Sequence, residues 1–160
     1  MIEDPTAIII VNFLTAIGLE VRTGTLSEDF LPGIRIDAGV MTVDPARLSY
    51  CGDLLHEAGH LAVLPSAERN GAAPNVSKDG GEEMAAIAWS YAAAIHLGLD
   101  PKIVFHDGGY RGGSDSIVEN FGEGRYFGVP LLEWMGLTAT KSAAERGVPP
   151  YPYMIRWLRD

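Results

Sequence analysis

The pattern of hydrophobic and polar positions predicts an apolar helix near the start of the chain. Apolar residues fill most of 7–19, directly after Asp4-Pro5, a capping residue followed by the proline that often occupies the first helical position. Gly18 ends the pattern, so we predict a buried helix over 5–17. The acidic residues before the run, and its short length, argue against a signal peptide or a membrane span.

Short β-branched or alternating stretches follow this helix and predict three strands, at 19–22, 34–37 and 40–43. Only Ala38-Gly39 separates the last two stretches, which is typical of a tight β-hairpin. We therefore expect a small, mostly antiparallel sheet.

The helical period returns after the strands. Asp44-Pro45 repeats the capping signal, and apolar residues then recur at helical spacing up to Pro65. Residues 65–81 have no period and predict a surface loop. The alanine-rich segment 82–97 predicts a second long helix, and its low charge after the first turn indicates that most of its sides are buried.

The last third of the chain has a less regular pattern. Asp100-Pro101 predicts a short helix, the glycine-rich loop HDGGYRGGSDS follows, and further short helices are expected near 116–121 and 129–135. The aromatic C-terminal segment YPYMIRWLRD is expected to pack back onto the rest. The 160 residues suit one domain of the α+β class, 1–160, with an irregular helical C-terminal part.

The charge and the cysteine content restrict the partners and the compartment. With 21 acidic and 12 basic residues the chain has a formal net charge of −9, so it lacks the basic stripe that follows a phosphate backbone, and we expect no nucleic-acid partner. The single cysteine, Cys51, fits a small core residue in a reducing, cytoplasmic compartment. We expect no membrane partner, and the sequence does not determine the oligomeric state.

The segment LLHEAGHLAV, residues 54–63, holds two of the four histidines of the chain, four positions apart. Because one helical residue turns about 100°, the imidazoles of His56 and His60 lie on one face and can reach one ion. Two histidine nitrogens suit zinc, and the carboxylate of Glu57 can take a proton from the water molecule that the metal holds. The alternatives are a packed histidine pair without metal and a metal site without catalysis.

A zinc site with one open position needs a third protein ligand, and a carboxylate from a second helix is one known solution. Glu82 and Glu83, at the start of the alanine-rich helix, are the candidates. Small residues continue the face of Glu83, whereas Trp89 and His96 continue the face of Glu82, so we prefer Glu83. The alternative for either acid is a solvated carboxylate at a helix N-terminus, and His96 itself is expected to be a packed or surface histidine.

These motifs resemble the gluzincin class of zinc metallopeptidases. The order of a helix, short strands, DPARLSYCGDLLHEAGH and an acidic, alanine-rich helix is similar to the ImmA/IrrE-type metallopeptidases over about residues 5–97. EMAAIAWS, which starts at Glu83, resembles the E-x-x-A-x-x-F-A pattern of their second helix, with Trp89 and Ser90 in its last two positions. No helix-turn-helix or basic region accompanies these motifs, and 98–160 resembles nothing in the family, so no regulatory role is implied.

The resemblance implies a zincin-like fold, in which two core helices carry the metal ligands and pack on the small sheet. It implies that His56, His60 and Glu83 bind Zn²⁺. It also implies an enzyme that hydrolyses peptide bonds of a peptide or protein substrate, with a metal-bound water that Glu57 activates as general base.

A peptidase of this class also needs a hydrogen-bond donor for the oxyanion that develops during hydrolysis. His106 and Tyr110 are the candidates, because both lie in the glycine-rich loop, whose backbone can approach a ligand closely or move as a lid. The alternative is a surface loop with a solvated histidine. Two rival functions stay open: a non-catalytic zinc-binding or protein-interaction module that retains the HExxH helix, and a zinc amidohydrolase acting on a small non-peptide amide.

Overall fold

A computed structural model of the protein describes residues 1–27, 31–73 and 79–160. Six α-helices and three strands lie in these ranges, in the order α1 Pro5–Ala16, β1 Glu20–Thr23, β2 Ile34–Asp37, β3 Val40–Val43, α2 Asp53–Val63, α3 Ser66–Arg69, α4 Gly80–His96, α5 Ser114–Gly122 and α6 Val129–Trp134. Two 3₁₀ turns, Pro101–Ile103 and Tyr110–Gly112, lie between α4 and α5. The predicted α+β class is confirmed.

The three predicted strands form one mixed sheet in the order β1-β3-β2. β3 pairs antiparallel with β2 through the predicted hairpin, and parallel with β1. Ala38 and Gly39 have φ values of 49° and 76°, the positive values that a type I′ hairpin turn requires. The expectation of a mostly antiparallel sheet is wrong, because the hairpin places β3 between the other two strands, where it runs in the direction of β1.

The two Asp-Pro capping signals, before α1 and after β3, have different outcomes. Asp4 accepts a hydrogen bond from the first turn of α1, as its sequence context predicts. The carboxylate of Asp44 instead accepts hydrogen bonds from the backbone N–H groups of Leu26 and Ala46, at 2.9 and 3.1 Å. These bonds fix a turn that is tied to a distant segment, so the prediction of a helix from residue 45 is wrong and α2 begins only at Asp53.

α2 and α4 pack against each other in the centre of the molecule. Every residue of α4 from 85 to 94 is buried, which confirms the prediction from its alanine-rich sequence. The closest approach is at Gly59, where an added Cβ would lie 2.8 Å from the carbonyl oxygen of Ala86. Since only glycine fits there, Gly59 sets the short distance between the helices, which positions the side chains of α2 beside the first turn of α4.

The C-terminal segment packs back onto the helices, as predicted. The ring of Trp157 contacts Phe13 and Trp89 edge to face, with centroid distances of 5.0 and 5.5 Å, and its carbonyl accepts a hydrogen bond from the Trp89 indole at 2.9 Å. The backbone N–H of Arg159 donates to the carbonyl oxygen of Ala62 at 2.9 Å. These contacts join the C-terminal segment to α1, α2 and α4.

The remaining predicted elements differ from the structure only in detail. The predicted loop over 65–81 contains the short helix α3, and its residues 74–78 lie outside the described ranges. Helices α5 and α6 confirm the short helices predicted near 116–121 and 129–135. His96 lies at the surface and its ring packs 5.2 Å from Trp157, in agreement with a packed or surface histidine. Within the described ranges, no helix has the length and apolar character needed to cross a membrane.

Candidate metal centre

Three side chains from α2 and α4 converge at the centre of the molecule. The Nε2 atoms of His56 and His60 are 3.3 Å apart, as their spacing of one helical turn predicts. One carboxylate oxygen of Glu83 lies 3.4 Å from Nε2 of His56, and the other lies 2.8 Å from Nε2 of His60. The structure therefore brings together the three residues predicted to bind metal.

These distances suit a tetrahedral zinc site. Zinc bonds of about 2.0–2.1 Å to nitrogen and oxygen imply that neighbouring ligand atoms lie about 3.3 Å apart. The distances from Nε2 of His56 to Nε2 of His60 and to one Glu83 oxygen match this value. The other Glu83 oxygen lies 2.8 Å from Nε2 of His60, the length of a hydrogen bond. Two imidazoles and one carboxylate are also the donor set of catalytic zinc sites, which keep a fourth position open.

The pKa values of the two histidines are shifted in opposite directions. Burial, and then the neighbouring charge of His60, lowers the pKa of His56 to about 4, so His56 is neutral. Burial also acts to lower the pKa of His60, but its hydrogen bond to Glu83 and the charge of Glu57 outweigh that effect and the pKa of His60 is raised. A cation bound at Nε2 of His60 would displace a proton from that nitrogen.

Glu57 is a buried acid beside the histidine pair. The residue is 7% exposed, and one of its carboxylate oxygens and one ring nitrogen of each histidine all lie within 4.8 Å of one another. Burial raises the pKa of Glu57 to about 7, with further contributions from Glu83 and Asp53, although the charge of His60 opposes the increase. The Glu83 carboxylate contacts the Nε2 atoms of both histidines.

The other ring nitrogen of His56 faces the glycine-rich loop. The Tyr110 hydroxyl lies 3.0 Å from Nδ1 of His56. Burial raises the pKa of Tyr110, so the phenol stays protonated. Tyr110 and Arg111 have φ values of 56° and 52°, in the left-handed region that disfavours residues other than glycine. The loop therefore has a strained backbone at the point where it contacts a predicted metal ligand.

His106 packs against the first turn of α2. Its Nε2 lies 2.6 Å from a carboxylate oxygen of Asp53, and its ring stacks on Tyr50 with a centroid distance of 3.7 Å. The side chain is 11% exposed, so the alternative of a solvated histidine is wrong. The assignment of His106 and Tyr110 to the oxyanion stays a prediction, and in this arrangement each engages a side chain of α2.

Sequence reasoning missed two residues of this region. Asp53 precedes His56 by three residues, and this spacing on a helix was the signal that it faces the same side. The stacking of Tyr50 on His106 had no such signal, since the two rings come together only through the tertiary fold.

The two neighbouring acids of α4 lie on opposite edges of the His60 ring. Glu83 contacts Nε2, whereas a carboxylate oxygen of Glu82 lies 3.9 Å from Nδ1. The Glu82 side chain is the more buried of the two, at 18% exposed against 44% for Glu83. Neither acid is the freely solvated carboxylate of the alternative interpretation.

A cleft of about 640 Å³ lies on a neighbouring face, between residues 1–4, the end of β1 and the connection 44–51. His56 and His60 do not line this cleft, so it is separate from the candidate metal centre. Cys51 lines the cleft and is half-buried, and burial, with the charge of Asp4, raises the pKa of its thiol. Cys51 is therefore at the edge of the core rather than inside it.

No protein-family model matches the chain, and no curated protein or solved structure has significant similarity to it. A functional assignment therefore rests on the chemistry of the site.

Proposed function

We propose that the protein is a zinc-dependent peptidase of the gluzincin type, with a zincin-like fold and a peptide or protein substrate. The observation that carries the proposal is the convergence of the two Nε2 atoms and the Glu83 carboxylate, with all three separations at or below 3.4 Å. His56, His60 and Glu83 would hold the ion and leave one position open for water or substrate.

Zinc at this site would supply a Lewis acid and would lower the pKa of a water molecule toward neutrality. Glu57 is placed to accept the proton of that water, and its pKa of about 7 suits a group that both takes and returns a proton near neutral pH. Glu57 would hold that proton while the water adds to the carbonyl carbon, and would pass it to the departing nitrogen as the C–N bond breaks.

The surroundings of the site support the proposed role of Glu57 in proton transfer. Glu57 is shielded from bulk water, so the proton that it accepts is not lost to solvent during the reaction. His106 and Tyr110 lie close to the HExxH helix and carry N–H and O–H groups, which makes them our candidates for stabilising the oxyanion.

Metal content and hydrolysis test the proposal together. Protein purified without added metal should contain about one zinc ion per chain, as a three-ligand site predicts, and His60→Ala should abolish its retention. Glu57→Gln has almost the same shape as the wild type, so it should keep the zinc while peptide hydrolysis falls by about 10²–10⁴-fold, the usual contribution of a general base.

The substrates in this experiment separate the rival functions. A mixed peptide library and a panel of small non-peptide amides should be assayed with both proteins. Zinc-dependent cleavage of peptides supports the proposal, whereas cleavage of amides alone would indicate an amidohydrolase. Zinc binding without any hydrolysis, or equal hydrolysis by Glu57→Gln, would contradict it.

A further inference from the structure

Three buried side-chain atoms have no hydrogen-bond partner within the described ranges: Nδ1 of His60, Oε1 of Glu82 and Nδ1 of His106. Buried polar atoms are almost always paired, because an unpaired one loses its bonds to water without compensation. The first two of these atoms lie 3.9 Å from each other. A potential donor and a potential acceptor therefore face each other, slightly too far apart for a hydrogen bond.

A metal ion at Nε2 would determine what Nδ1 of His60 does. A neutral imidazole that gives one nitrogen to a cation carries its proton on the other nitrogen. Nδ1 of His60 would then be an N–H donor that points toward the carboxylate of Glu82. A shift of about 1 Å in the flexible side chain of Glu82 brings the two atoms to hydrogen-bond distance.

The arrangement around His56 supports the same role. Its Nδ1 already has a partner, the Tyr110 hydroxyl at 3.0 Å. Histidines that bind metals almost always donate their second N–H to such a partner, which fixes the ring orientation and the tautomer. Within the described ranges, Glu82 is the acid whose carboxylate oxygen lies within 4 Å of Nδ1 of His60, and both oxygens of Glu83 face the Nε2 atoms.

The burial of Glu82 also needs a reason. An acid in the first turn of a helix can stay solvated, as the helix dipole alone would favour. The Glu82 side chain is nevertheless less exposed than that of Glu83, although burying a carboxylate is costly unless it is paired. A charge-assisted hydrogen bond to His60 offsets that cost.

We propose that Glu82 is the positioning residue of His60, whose Nδ1–H donates to the Glu82 carboxylate while Nε2 binds the metal. The two consecutive acids of α4 then have separate roles, because Glu83 is a ligand and Glu82 orients a ligand. The proposal rests on the zinc site of the proposed function, and it adds a partner for His60 to the Tyr110 partner of His56.

Zinc dissociation constants of the full-length protein, measured by competition with a chromophoric chelator, test the proposal. Glu82→Ala should weaken binding by about 10–100-fold, the usual effect of removing such a partner. Glu82→Gln should lose less, because its amide oxygen can still accept from Nδ1. Glu57→Gln changes another carboxyl group beside the histidines while keeping its shape, so it should lose less than Glu82→Ala.

Imidazole NMR signals of the zinc-loaded protein separate orientation from a general effect on the fold. In the wild type, the Nδ1 proton of His60 should resonate at low field and exchange slowly with water. Glu82→Ala should move the signal of His60 and leave that of His56, whereas Tyr110→Phe should do the reverse. Equal changes at both histidines in Glu82→Ala would overturn the proposal.

The outcomes distinguish this proposal from the proposed function. If the wild type binds zinc and Glu82→Ala binds it equally well, the role of Glu82 is wrong and the zinc site stands. If the wild type binds no zinc, both are wrong. Glu83→Gln should lose far more affinity than Glu82→Gln, and the reverse order would show that the two roles are exchanged.

Discussion

The two core helices and the glycine-rich loop contribute to the metal centre in different ways. α2 supplies two Nε2 atoms and α4 supplies a carboxylate whose two oxygens lie within 3.4 Å of them, and both helices are well packed and regular. The loop supplies the Tyr110 hydroxyl, which contacts the far side of His56 from a backbone in the left-handed region. Packed elements thus position the three proposed ligands, and a loop with a strained backbone contacts one of them.

This difference predicts that changes in helix packing affect the site more than changes in the loop do. The largest effect is expected for Gly59→Val at the crossing of α2 and α4. A Cβ alone would meet the carbonyl of Ala86 at 2.8 Å, and valine adds two further methyl groups. We expect the free energy of unfolding to fall by about 3 kcal/mol, the upper end of the usual cost of overpacking, and zinc retention to be lost with it.

Chemical denaturation of the metal-free protein measures the free energy of unfolding, and metal analysis measures zinc retention. Gly122→Val is the matched control, because a Cβ at that position meets nothing within 4 Å. Wild-type stability in Gly59→Val would contradict the role of close helix packing in placing the ligands.

The next effect concerns the buried acid of α2. The pKa of Glu57 is raised from its ordinary value of 4.5 to about 7, so folding favours the protonated carboxyl. Its stabilising contribution is complete below pH 4.5 and is lost as the pH rises through about 7. A shift of this size corresponds to about 3 kcal/mol, which the metal-free wild type should lose over that window relative to Glu57→Gln.

Denaturation curves of the metal-free proteins between pH 4.5 and 8 test this expectation as the difference between wild type and variant, in which other titrating groups largely cancel. With zinc bound, the positive charge favours the Glu57 carboxylate and the difference should shrink. A difference that does not change with pH would show that folding does not shift the pKa of Glu57.

The difference between the packed helices and the loop also determines what could be predicted from the sequence. His56, His60 and Glu83 lie on helices, where spacing alone decides which side chains share a face. The partner of Nδ1 of His56 could not be assigned that way, since Tyr110 reaches it through turns whose φ values no pattern reveals. The helix predicted after Asp44-Pro45 is absent for a related reason. The carboxylate that should cap it instead accepts a hydrogen bond from the backbone of Leu26, 18 residues away.

The smallest effect is expected in the loop, for Arg111→Gly. Relief of the left-handed conformation at this position is worth about 1–2 kcal/mol, and the greater freedom of glycine in the unfolded chain costs about 0.5–1 kcal/mol. The variant should therefore be more stable by about 0.5–1 kcal/mol, which thermal unfolding can detect. Arg111→Ala removes the same charge but keeps the strain, so it should not be stabilised. Equal stabilisation of both variants would attribute the effect to loss of the arginine side chain. It would contradict the presence of backbone strain at this position.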